Sequence, residues 1–135
     1  MSQCVLTRSS DLTVYGGETI SWDTEVSDPL GMHDPSTNPS RITIPSGEGG
    51  IYEVSLAAEG GDTTSVVSFW IKRNGSQVGP TFTPANSSAN QKVSAQLHFL
   101  LSLSATDYVE SGISHTLING YALRAASRFS ALKVG

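Results

Sequence analysis

The chain has 135 residues, enough for one domain that buries its own core. Only 15% of residues are charged and the formal net charge is −4, so the clustered Lys and Arg that phosphate binding requires are missing and no nucleic-acid partner is expected. A single cysteine, Cys4, excludes an internal disulfide, and no apolar run approaches the roughly 20 residues needed to span a bilayer, so no membrane partner is expected either.

A first strand is expected over residues 3–8, around Val5 and Leu6, with Leu12 to Tyr15 as its continuation or as a second short piece. Gly16-Gly17 breaks it. Thr19 to Thr24 alternates, with Ile20 and Trp22 on one side and Thr19, Ser21 and Asp23 on the other, which predicts a strand with Trp22 in or at the rim of the core. Residues 26–40 carry Pro29, Pro35 and Pro39, each after a polar residue, and read as an ordered loop. Asp28, His33, Asp34 and Asn38 within it match no metal-ligand signature and read as solvated turn residues. Arg41 to Ile44 is a short strand closed by Pro45.

The most regular stretch is Gly49 to Ala58. Tyr52, Val54, Leu56 and Ala58 share one face, and Ile51, Glu53, Ser55 and Ala57 the other, which is the pattern of a half-buried strand. Gly49 and Gly50 are expected to let the chain turn sharply into it through positive φ. Val66 to Arg73 follows, with Val67, Phe69 and Ile71 on one face and Ser68, Trp70 and Lys72 on the other. A Trp on a polar face either packs under a loop or enters a subunit contact. Asn74-Gly75 is a hairpin signal. Gln77 to Pro84 alternates again and is followed by a loop over 85–90. The sequons at 74–76 and 86–88 read as ordinary turn residues.

Residues 91–103 carry the longest period-two run. Val93, Ala95, Leu97, Phe99, Leu101 and Leu103 face one way, and Gln96, His98 and Leu100 the other; the run forms one strand or two joined by a turn near Ser94. Tyr108 to Ile113, a hairpin signal at Asn119-Gly120, and a last strand over 127–134 complete about ten strands and no helix. The core is expected to hold Tyr52, Val54, Leu56, Val67, Phe69, Ile71, Leu97, Phe99, Leu101, Val109 and Phe129.

No catalytic constellation is visible, and no metal or cofactor is expected. His33, His98 and His115 are far apart in sequence and read as satisfied loop or surface residues. No Gly-x-Ser-x-Gly elbow occurs. Gly47 to Gly50 precedes a strand rather than a helix and has no Lys, so it is no phosphate loop. Asp23, Glu25, Asp28 and Asp34 read as an acidic loop rather than the facing carboxylates of a glycosidase.

Taken in order, several pieces resemble the globular heads of complement C1q and the tumour-necrosis-factor superfamily: Ile20-Ser21-Trp22-Asp23, Asp28, Ile42-Thr43-Ile44-Pro45, Gly50-Ile51-Tyr52, Ile71-Lys72-Arg73-Asn74-Gly75, Leu101-Ser102-Leu103, Asp107-Tyr108-Val109 and Ser127-Arg128-Phe129-Ser130-Ala131. The resemblance covers nearly the whole chain. It implies a single C1q/TNF-like domain over residues 1–135, an all-β antiparallel two-sheet jelly-roll sandwich. It further implies a homotrimer in which one sheet of each subunit faces the three-fold axis. Trp70 and Leu100, large apolar residues on faces left outside the sandwich, are expected near the trimer interface.

Secreted members of the family carry a signal peptide and often a collagen stalk, and neither pattern is read here. Free-standing heads of this kind are similar to bacteriophage decoration proteins and fibre tips. The expectation is therefore a non-enzymatic viral structural protein at the virion surface, made in the host cytoplasm. It would be a trimeric decoration, or cement, protein bound to the major capsid protein through loops or through Ser2, Gln3, Val5 and Leu6. The alternative is a trimeric tip of a phage head or tail fibre that binds a host receptor or glycan.

Overall fold

The computed structural model describes residues 2–15, 17–63, 67–84, 91–115 and 120–135. The expected Val66, the 85–90 loop with its sequon, and Asn119 of the second hairpin signal lie outside these residues. Within them the chain forms strands and no helix: β1 (Gln3–Thr7), β2 (Leu12–Val14), β3 (Glu18–Thr19), β4 (Thr24–Ser27), β5 (Arg41–Thr43), β6 (Gly50–Thr63), β7 (Val67–Arg73), β8 (Ser76–Phe82), β9 (Gln91–Leu103), β10 (Tyr108–His115), β11 (Tyr121–Leu123) and β12 (Arg128–Lys133). A seven-stranded sheet runs β2-β11-β6-β12-β1-β4, with β9 on the other side of β6; a five-stranded sheet runs β3-β10-β7-β8, with β5 also beside β10. The pairing is antiparallel throughout, and the sheets close face to face as a sandwich.

The core lies between the two inner faces. Tyr52, Val54, Leu56 and Ala58 of β6 meet Val67, Phe69 and Ile71 of β7, all buried. Fully burying the Val, Leu, Ile and Phe side chains among them contributes about 1.5–3 kcal/mol each, so the period-two pattern drives the two faces together. Trp22 stacks on Phe129 with ring centroids 6.1 Å apart, and its Nε1 donates to Ser111 Oγ at 3.3 Å, which satisfies the polar end of a fully buried indole. Of the residues expected in the core, Phe99 and Leu101 are half-buried and pack against its edge; the others are buried.

Among the described residues there are twelve strands where about ten were expected, for a physical reason. The stretch Thr19 to Thr24 is not one strand. β3 pairs with β10 in one sheet and β4 with β1 in the other, so the chain between them crosses the sandwich. Its backbone is satisfied on the way, Ile20 N donating to Ser111 O at 2.9 Å and Trp22 N to Pro39 O at 3.0 Å. The crossing is what sinks both Ile20 and Trp22 into the core. β9, in contrast, is a single strand; Ser94 is paired with Glu59, so no turn interrupts it, and the one irregularity lies in β6 between Glu59 and Asp62.

The turn into β6 differs from expectation. Gly47, not Gly49 or Gly50, takes the positive φ, at 80°. Gly50 is needed for another reason: a Cβ there would collide with the Gly135 carbonyl, which accepts from Ile51 N at 2.8 Å. The first hairpin signal is realised, with Asn74 at φ 50° and Gly75 at φ 83° joining β7 to β8.

Candidate interaction surfaces

The outward side of the seven-stranded sheet is built in rows across β9, β6, β12 and β1. One row is Leu100, Glu53, Leu132 and Gln3; the next is His98, Ser55, Ser130 and Val5; the third begins Gln96, Ala57 and Arg128. Small uncharged side chains, Ser55 and Ser130, occupy the middle row, between Glu53 in one neighbouring row and Arg128 in the other. Leu100, 67% exposed, and Ile51 stand at one side. The low centre leaves two shallow grooves, one of about 350 Å³ bordered by Glu53, His98, Phe99 and Leu100, and one of about 320 Å³ over Ser55, Ala57, Gln96 and His98. An uncharged central row with exposed apolar side chains at its side, Leu100 and Ile51, is a feature of interface cores, although Glu53 borders the larger groove.

A second surface is the flank where β8 and β9, each the outermost strand of its sheet, lie side by side. Pro80, Phe82, Leu97 and Phe99 border an apolar groove of about 220 Å³, and Phe82 is 41% exposed. Gly79, at φ 68°, lets the Phe99 ring lie against the β8 backbone. Gln96 and His98 border both this flank and the neighbouring face.

The outward side of the five-stranded sheet carries Trp70, half-buried because its indole lies across Gly112, its cross-strand partner in β10. Trp70 and Leu100 thus lie on opposite sides of the sandwich. The two residues expected near a trimer interface therefore belong to different outer faces, one on each sheet.

The N-terminal segment forms a strand, as expected, and two of its four candidate contact residues are turned inward. β1 lies between β12 and β4 inside the large sheet. Leu6 is part of the core, and Ser2 is buried with its hydroxyl donating to the Glu48 carboxylate, so neither offers a side chain to a partner. Gln3 and Val5 point outward on the large sheet, Gln3 Nε2 donating to Ser27 Oγ at 2.7 Å. Removing residues 1–6 would take a strand out of the fold rather than trim an attachment arm.

The loop over 28–40 is fixed by its own acidic residues. Asp28 accepts from Met32 N at 2.7 Å and His33 N at 3.0 Å, and Asp34 accepts from Ser36 N at 2.9 Å and Ser36 Oγ at 2.8 Å. The Ser36 hydrogen bonds hold the Asp34 carboxyl below the usual carboxylate range. His33 is buried, not a surface residue; its Nε2 donates to Pro39 O at 2.9 Å and its Nδ1 lies 3.0 Å from Glu25 Oε1. His115 is also buried, its Nε2 donating to the Val14 carbonyl, while His98 is exposed. These carboxylates serve backbone and side-chain donors, and among the described residues no group of three or more His, Cys, Asp or Glu is placed to hold a metal ion. Cys4 is fully buried, and burial, reinforced by Asp28 and Glu25, pushes its thiol well above the usual range, away from a nucleophilic thiolate.

No protein-family model and no curated protein matches the chain. Among solved structures, the globular domain of the zebrafish complement 1qA protein matches with a TM-score of 0.76, covering 100% of this chain and 98% of that one at 12% identity. Likeness at that identity establishes architecture: the chain folds as a C1q-like jelly-roll sandwich.

Proposed function

We propose that this protein is a non-catalytic homotrimer that decorates and stabilises the exterior of a viral capsid. The observation that carries the assembly is the outward side of the large sheet, small and neutral at its centre with Leu100 at one edge. This face and the apolar flank of Phe82 and Phe99 are different surfaces joined at β9. Flank against face is a head-to-tail contact, which closes into a ring when the rotation permits. Leu100 belongs to the interface; Trp70 faces outward from it.

Attachment to the shell uses the loop over 28–40. Its exposed Pro29, Leu30 and Pro35 are held in place by the Asp28, Asp34 and His33 contacts, so little ordering entropy is lost on docking. A trimer matches the three-fold positions of an icosahedral shell, and three weak contacts together give firm attachment. Binding only to the assembled shell favours that shell by mass action. The test is to prepare shells of the encoding virus without this protein, add it, pellet them and melt them. Co-pelleting with a raised shell melting temperature supports the proposal; a protein that stays in the supernatant and leaves melting unchanged defeats it.

A further inference from the structure

We propose that the outward side of the five-stranded sheet binds an anionic sugar through Trp70 and Lys72. Ser68, Trp70 and Lys72 of β7 share this face with Tyr108, Glu110, Gly112 and Ser114 of β10, and the cross-strand pairs include Trp70 with Gly112 and Lys72 with Glu110. A Cβ at position 112 would fall among Cη2, Cζ2 and Cζ3 of Trp70, so it is the missing side chain that lets the six-membered ring lie flush on the strand instead of standing on edge. The part of the indole that the strand leaves uncovered is a flat apolar surface, of the kind that stacks on the C–H face of a pyranose ring.

A cation stands over that surface. Lys72 Nζ lies above the Trp70 ring, 4.5 Å from its centroid, so a sugar that stacks there displaces the ammonium sideways, within reach of an anionic group on the sugar. Among the described residues it has no carboxylate within ion-pair distance, because its cross-strand neighbour Glu110 is taken up by Ser40 Oγ at 2.6 Å and by Arg41 Nε at 3.8 Å. Arg41 in turn stacks 3.9 Å over the Tyr108 ring farther along the same face. On a chain of net charge −4, this face presents two cations against one nearly buried carboxylate. A cationic ligand is repelled here, and a neutral sugar would displace the ammonium from the ring without giving it a new partner. A sugar that carries a carboxylate or sulfate satisfies both the ring and the ammonium. The face is opposite the proposed assembly surface, so this site does not depend on the oligomer.

Trp22 is fully buried, so a ligand-induced change in tryptophan emission reports Trp70. The full chain is titrated with sialyllactose, sulfated lactose and lactose, followed by emission and by saturation-transfer NMR. A saturable response to one or both charged sugars is expected, with lactose weaker by about tenfold or more, as for loss of a charged hydrogen bond. Which charged probe responds assigns carboxylate or sulfate. Lys72→Gln, an exposed-face change that leaves the core intact, should weaken the charged sugars by about tenfold, and Trp70→Leu should abolish transfer while the thermal melt confirms that it is folded. Silence with both charged sugars, equal binding of lactose, or unchanged binding by Lys72→Gln would overturn the proposal.

Discussion

The indole of Trp70 lies across the backbone of Gly112, directly opposite it on the neighbouring strand. The two residues form one unit: the glycine leaves the space and the ring covers the strand it would otherwise expose. Gly112→Ala should therefore displace the ring and destabilise the fold by about 1–3 kcal/mol, as overpacking does. In the Trp70→Leu background the same change should cost clearly less. A double-mutant cycle by urea unfolding measures the coupling; additive losses would mean that the ring does not rest on Gly112.

Phe69 projects from β7 into the centre of the sandwich and is fully buried. Phe69→Ala should cost about 3–5 kcal/mol. A loss well under 1 kcal/mol in denaturant unfolding would place this face of β7 outside the core.

Asp107 joins two turns. It accepts from Asn74 Nδ2 at 2.9 Å and from Ser104 N at 2.8 Å, while Asn74 Oδ1 accepts from Tyr108 N at 3.0 Å. The Asn74 hydrogen bond, followed by that from Ser104, holds the Asp107 carboxyl below its ordinary range. A carboxyl whose folded pKa is lowered adds stability above its unfolded pKa and loses it as pH falls through the folded one. Thermal stability should therefore decline on acidification below the ordinary carboxylate range, and Asp107→Asn should remove part of that decline. A melting temperature with the same acid dependence in wild type and variant would contradict this.

Cys4 should be inert in the folded protein. Its thiol is buried in the core and held protonated by that burial. A thiol reagent at mildly alkaline pH should label less than a few per cent of the native protein per hour, and all of it in denaturant. Rapid labelling of the native form would show that β1 opens readily.

The strands were legible because alternation is a local property. Tyr52 to Ala58 and Val67 to Ile71 declare their buried faces with no knowledge of their partners, and Asn74-Gly75 declares its turn through its need for positive φ. What could not be read depends on pairing between distant segments. The passage of Ile20 and Trp22 from one sheet to the other is set by β10 and β1, far apart in sequence. That Leu6 is sealed under a central strand, and that Trp70 and Leu100 lie on opposite sheets, follows from strand order. The setting of Trp70 depends on a register that places a glycine opposite it, and neither the Trp nor Gly112 announces the other.

Copies of this chain should meet on the outward side of the large sheet, with Leu100 at its edge. The most direct measurement is mass by light scattering at micromolar concentration, for wild type and for Leu100→Glu. Wild type should give three times the 14.2 kDa of one chain, and Leu100→Glu should shift the mass toward a single chain with an unchanged circular dichroism spectrum. A wild-type mass of one chain, or a trimer untouched by the charge at position 100, would rule out this face as the assembly surface.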